Sequence, residues 1–165
     1  MNSLELQAIL ANALRGTKTK FLGVFPSNGL PIPTSYPACF VANLDPAPLP
    51  GSHWCAFYYV DPNTLEFFDS FGLAPSILPF ALPEGLGITY NSTPIQKTTS
   101  AVCGHYCIFF LFHRSRGSSL SRIASHLCQI RSDTYVRIYI RKLISALHQQ
   151  QHHNHTSFNH TLLVK

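Results

Sequence analysis

Cys103 stands where a polar loop runs into the most apolar stretch of the chain, and that setting suits thiol chemistry. Thr98, Thr99 and Ser100 are good helix caps, and Cys107-Ile108-Phe109-Phe110-Leu111-Phe112 continues as a helix that must lie deep in the fold. The free N–H groups of a first helical turn, with the positive end of the helix dipole, favour an anion. A thiol placed there is biased toward thiolate, its nucleophilic form. Gly104 behind it leaves room for another segment of backbone. An unpaired cysteine is more often a buried structural residue, so Cys103 needs companions before it means catalysis.

A cysteine nucleophile requires a base, a group that orients the base, and donors for the oxyanion. His53 is the best base among nine histidines, because it follows a Gly-Ser loop and opens a strand, which leaves its ring at an edge. His105, His113 and His126 fall on helices, and the others belong to the C-terminal tail. Asp69 can orient His53, since one hairpin carries both. Gln96, seven residues before Cys103, can aim a side-chain N–H at an oxyanion beside the backbone N–H of Cys103.

That hairpin is the clearest element in the chain: residues 53–60, a turn at Asp61-Pro62-Asn63-Thr64, and residues 65–69, with aromatic and β-branched residues on both arms. If Val60 faces Thr64, Asp69 falls opposite Cys55 and is a same-face diagonal neighbour of His53, roughly 7–8 Å away before the side chains reach inward. A slip of one residue separates them onto opposite faces. Around the hairpin we expect an amphipathic helix over residues 4–14 with Ser3 ahead of it, short strands over 21–25, 38–43 and 87–90, and an irregular Pro/Gly-rich segment over 21–36. Residues 74–82 carry Pro75 and Pro79 and form at best a broken helix. Helices are expected over 120–128 and 133–148 after the central one. The His/Gln/Asn tract over 149–165 reads as a disordered tail, with residues 1–148 forming one domain.

The chain has 165 residues, 45% of them apolar, enough for one domain with a real core. Five cysteines without a C-x-x-C pair and no signal-like N-terminal segment read as an intracellular protein with reduced thiols, and the longest apolar run is too short to span a bilayer. Cys103, Cys107 and the nearby histidines do not match a structural zinc spacing. Charge is uneven. Residues 1–100 hold four Lys/Arg against six Asp/Glu, whereas residues 101–165 hold eight against one. The basic half, with Arg114, Arg116, Arg122, Arg131, Arg137, Arg141 and Lys142, can be read equally as a phosphate-neutralising surface or a solvated helical face.

Taken together, His53-Trp54, an acid sixteen positions on within Asp69-Ser70-Phe71-Gly72, Gln96, and Ala101-Val102-Cys103-Gly104-x-x-Cys107 resemble, in order and spacing, the adenovirus-type cysteine endopeptidases, the adenain family. The likeness extends to Phe21-Leu22-Gly23 and to Cys39-Phe40-Val41-Ala42-Asn43, so it covers about residues 4–115. Papain-like enzymes run Cys before His, the reverse of this order. The resemblance implies an α+β fold with the nucleophile's helix packed on a mainly antiparallel or mixed sheet. It also implies a monomeric protease that matures viral precursor proteins at Gly-containing sites, located in the virion and host nucleus, with no membrane partner. By the same carry-over Cys103 is nucleophile, His53 base, Asp69 the orienting acid, Gln96 the oxyanion donor, Trp54 a substrate-lining residue and Cys107 a structural thiol. No cofactor is required for the chemistry.

The departures are as informative as the matches. Asp69 with Ser70 resembles the SUMO and ubiquitin-like proteases of the same clan, where adenoviral enzymes have Glu in Glu-Pro-Phe-Gly. Adenoviral enzymes are activated by a disulfide-linked viral peptide. Here no cysteine lies between Asp69 and Cys103, so no covalent peptide is expected, and activation by DNA along the basic C-terminal part stays open. Two other readings stand beside the maturation protease: an isopeptidase acting on ubiquitin-like modifiers, and a non-catalytic, basic nucleic-acid-binding domain.

Overall fold

The computed structural model describes residues 1–162, with side chains through Gln150. It is an α+β fold in which five strands form one mixed sheet in chain order: β1 (Lys20–Phe25), β2 (Ala38–Asn43), β3 (Trp54–Asp61), β4 (Thr64–Phe68) and β5 (Gly87–Tyr90). The central pairs β2–β3 and β3–β4 are antiparallel, and the outer pairs β1–β2 and β4–β5 are parallel. Four helices complete it: α1 (Ser3–Ala13), α2 (Cys103–Arg114), α3 (Leu120–Ile130) and α4 (Asp133–Leu162). The expected tail therefore begins within α4, whose backbone is helical to Leu162. The expectation of disorder falls mainly on residues whose side chains, or whose whole structure for 163–165, lie outside the described part.

Strand alternation sorts the core into two layers. Cys39, Val41, Trp54, Ala56, Tyr58 and Phe68 face α2 and its neighbouring helices, with Tyr106, Ile108, Phe110 and Leu111 of α2 buried against them. Phe68 and Phe110 stack at 4.8 Å between ring centres. Phe40, Phe57, Tyr59, Leu65 and Phe67 face the other way, where none of the four α-helices packs among the described residues. There the Pro-rich crossovers, residues 26–37 and 69–86, cover the sheet with Leu30, Tyr36, Leu78, Phe80 and Leu82. The second crossover contains only one short 3-10 turn, Pro75–Ile77, as the two prolines require.

Helix α1 begins one residue earlier than expected: the cap is Asn2, not Ser3, through a reciprocal pair in which the Glu5 N–H donates to Asn2 Oδ1 (2.9 Å) and the Asn2 N–H to Glu5 Oε2 (2.8 Å). The caps expected for α2 are also corrected. The cap position is Val102, no side chain bonds the first turn, and the Ser100 hydroxyl turns back to the Lys97 carbonyl. The crowding at Gly104 comes from side chains at the N-terminus, Met1 Sδ and Leu6 of α1, within 3.3–3.5 Å of where a β-carbon would sit. Two basic residues of the C-terminal half are tied to other groups of the fold. Arg114 pairs with Glu66 (Nε–Oε2 2.5 Å) over the ring of Tyr58, and Arg116 donates to the Ala13 carbonyl at 2.9 Å while lying on Phe112. No helix among the described residues is long and apolar enough to cross a membrane.

Candidate active site

The hairpin register brings the first two site residues together. Tyr59 pairs with Leu65, Phe57 with Phe67 and Ala56 with Phe68, so the ladder runs on to Asp69 opposite Cys55. Near the turn the register shifts at Val60 and Asp61 takes Thr64, a bulge that leaves the open end unaffected. Asp69 Oδ1 accepts from the His53 ring at Nε2 (2.5 Å) and lies 3.8 Å from the Cys55 thiol. Asp69 Oδ2 accepts the Leu73 N–H at 2.9 Å, so both oxygens of this fully buried carboxylate have partners.

With Nε2–H given to Asp69, Nδ1 is the ring nitrogen left for Cys103, whose sulfur is close enough to interact with the imidazole by hydrogen bonding. Phe71 stacks on the other side of the ring, 4.7 Å away and 23° from parallel. Burial pulls the His53 pKa down, but the Asp69 hydrogen bond, the Cys103 sulfur and the charges of both outweigh it and raise the pKa to about 9. For Cys103 burial pushes the other way. The interaction with His53, the backbone N–H groups of Trp54 and Gly104, and the imidazolium charge together bring the thiol below its ordinary value. Both shifts favour the charged forms, imidazolium at His53 and thiolate at Cys103.

Cys107, one turn further along α2, donates its thiol to the Trp54 carbonyl at 3.3 Å. The Trp54 peptide is thus gripped from both ends by α2, its carbonyl by Cys107 and its N–H by the Cys103 sulfur. Burial pushes the thiols of Cys39, Cys55 and Cys107 well above the ordinary range, and Cys103 alone among these moves down.

Gln96 is buried, with its amide oriented from both sides: Oε1 accepts from the Ser70 hydroxyl at 2.7 Å and Nε2 donates to the Ser100 carbonyl at 2.6 Å. One N–H remains on that amide, and the backbone N–H of Cys103 has no hydrogen-bond partner among the described residues. Both are donors of the type that an oxyanion needs.

Three residues of this network escape a reading of the sequence. Ser70 fixes Gln96 and also accepts the N–H groups of Ile95 and Gln96 at its carbonyl (2.9 and 3.0 Å). Asn91, just after β5, spans the Asp69 peptide, accepting its N–H at 3.0 Å and donating to its carbonyl at 2.6 Å. Phe71 packs the imidazole. Asn91 carries no local signal, but the Ser and Phe beside Asp69 were visible as part of the Asp69-Ser70-Phe71-Gly72 turn. Gly72 has φ +72°, and a β-carbon there would meet the Thr93 carbonyl carbon at 2.7 Å and the Pro94 nitrogen at 2.8 Å.

His53, Cys55 and Asp69 also present ligand atoms within 4.8 Å of one another. With nitrogen and oxygen 2.5 Å apart, an ion at the usual ~2.0–2.1 Å from each would subtend roughly 75°, far below the tetrahedral angle of zinc. The contact suits a shared proton better than a metal ion. Both residues are buried, Cys103 8% exposed and His53 6%.

No family model matches the chain, and no curated protein matches it in sequence. Among solved structures, the fold is similar to the central domain of the uncharacterized Lpg1148 protein from Legionella pneumophila, with a TM-score of 0.53 and 14% identity over 89% of this chain and 98% of that one. At that identity the likeness is one of fold.

Proposed function

We propose that the chain is a cysteine peptidase. Cys103 attacks a carbonyl carbon as thiolate, the C–N bond breaks as His53 gives its Nδ1 proton to the leaving amine, and a water deprotonated by the same ring releases the acyl group and restores the thiol. Asp69 holds the ring with Nδ1 toward the sulfur and stabilises the imidazolium. The Cys103 N–H and the spare N–H of Gln96 receive the oxyanion. The observation that carries this reading is the Asp69 carboxylate bonded to the His53 ring, with a thiol whose pKa that ring lowers while burial raises its neighbours'.

The burial of Cys103, 8% exposed as a residue, favours scissile bonds flanked by glycine, because glycine needs the least room beside the reacting carbon. This supports viral precursor proteins cut at Gly-containing sites, as the resemblance to the adenain family implies. The two-glycine tail of a ubiquitin-like modifier meets the same steric demand, and Asp69-Ser70 is the observation that keeps that reading in view. Incubation with Gly-x-Gly precursor peptides and with ubiquitin-like fusions tests both: cleavage of either that Cys103→Ala abolishes is expected, and an unaffected Cys103→Ala protein would refute a peptidase.

A further inference from the structure

A groove of about 220 Å³ opens beside Trp54, between the end of β1 and the loop that joins β2 to His53. Its walls are mixed: Phe25, Pro26, Leu49 and Trp54 supply the apolar part, with Leu49 58% exposed, and Ser3, Asn43 and Asp45 the polar part. At about 220 Å³ it is smaller than the ~300–1,000 Å³ of small-molecule sites and matches one or two peptide side chains. The larger clefts lie elsewhere. The one of about 590 Å³ adjoins Pro62 and Asn63, the turn at the far end of β3 from His53.

Continuity ties the small groove to the sulfur. Trp54 forms part of its wall while its own N–H meets Cys103, and Asn43, also in the wall, pairs with Trp54 across β2–β3. The Leu44 N–H bonds the His53 carbonyl at 3.0 Å. Asp45 is the only charged residue in the wall. Its backbone is fixed from both sides, with its N–H on Asn43 Oδ1 at 2.8 Å and its carbonyl accepting from Ser27 at 3.1 Å. Its carboxylate has no partner among the described residues. A carboxylate on fixed backbone in a groove that also offers Phe25, Pro26 and Leu49, with no cation of its own, is placed to receive one.

We infer that this groove is the substrate-recognition cleft and that Asp45 selects a lysine or arginine side chain at one fixed position near the scissile bond. The aliphatic stem of that side chain lies along Phe25, Pro26 and Leu49, and its charged head meets Asp45. This rests on the peptidase reading above.

The test digests a peptide library with the full chain and with Asp45→Asn and Asp45→Lys, and determines cleavage sites by mass spectrometry. Iodoacetamide labelling of Cys103 serves as a check that the variants keep their site. For the unaltered chain a basic residue is expected at one position, favoured roughly three- to tenfold in kcat/KM over glutamine, and less so as salt rises. Asp45→Asn removes the preference without slowing Cys103 labelling, and Asp45→Lys turns it toward acidic residues. Cys103-dependent cleavage without a basic preference, or a preference that survives Asp45→Asn, overturns the assignment of Asp45 and leaves the peptidase standing. Absence of any Cys103-dependent cleavage overturns both.

Discussion

The Ser70 hydroxyl donates to Gln96 Oε1 across 2.7 Å, and this bond decides which way the amide faces. Oxygen is held toward Ser70 and nitrogen toward Ser100, so the spare N–H is directed by a residue that touches no substrate. Removing the Gln96 donor should cost on the order of 10²–10³ in kcat. Ser70→Ala should cost about tenfold in kcat with little change in KM, since one hydrogen bond of about 1.4 kcal/mol is lost and the amide can still turn. Steady-state kinetics of Ser70→Ala beside Gln96→Ala checks it, and an equal loss in both would mean that Ser70 does more than orient.

Activity should form a plateau in pH. Thiolate forms as pH rises through the lowered pKa of Cys103, and imidazolium is lost as pH rises through about 9, so the active pair lies between these limits. Asp69→Asn removes the interaction that holds His53 up and should move the basic limb toward neutrality. The pH dependence of Cys103 alkylation in the two proteins measures this directly. An unmoved basic limb would show that Asp69 does not govern the imidazole.

Native thiols should differ sharply in reactivity. At neutral pH iodoacetamide should label Cys103 first and the half-exposed Cys128 slowly, while Cys39, Cys55 and Cys107 react only after unfolding. Peptide mapping before and after urea checks the order.

Cys107→Ala leaves the buried Trp54 carbonyl without its donor, which should destabilise the fold by about 1–3 kcal/mol, and Cys107→Ser should recover much of that. Urea unfolding of the two variants distinguishes a lost hydrogen bond from a lost sulfur.

Gly72→Ala combines a left-handed backbone with a β-carbon 2.7 Å from the Thr93 peptide. The strain of the left-handed residue alone is about 1–2 kcal/mol, and the clash adds to it. Because residues 93–94 lead directly to Gln96, kcat should fall further than the loss of stability accounts for. Thermal melts and kinetics on the same preparation separate the two effects.

Much of the architecture is legible in the residue pattern where local signals are strong. Residues 38–43 and 87–90 read as strands and are β2 and β5, and the arms around Asp61-Pro62-Asn63-Thr64 are β3 and β4. The register that places Asp69 across from Cys55 was one of two open choices, and packing decided it: Phe57, Leu65 and Phe67 share one buried face, which a one-residue slip would break. Less legible were features fixed by distant partners. The α2 start lacks the side-chain cap that Thr98, Thr99 and Ser100 promised, because Ser100 serves Lys97 and Gln96 instead. Asn91 is an ordinary polar residue until the fold sets it against the Asp69 peptide, 22 positions away. The basic count of the C-terminal half overstated the free charge, since Arg114 is paired with Glu66.

Asp69 and Gln96 are fastened to the same corner, one through Asn91 and the other through Ser70. In the proposed peptidase this tether would couple the support of the base to that of the anion, so that a tug on residues 91–96 would drag both out of alignment together. A small molecule wedged under this turn would then silence the thiol without ever touching it.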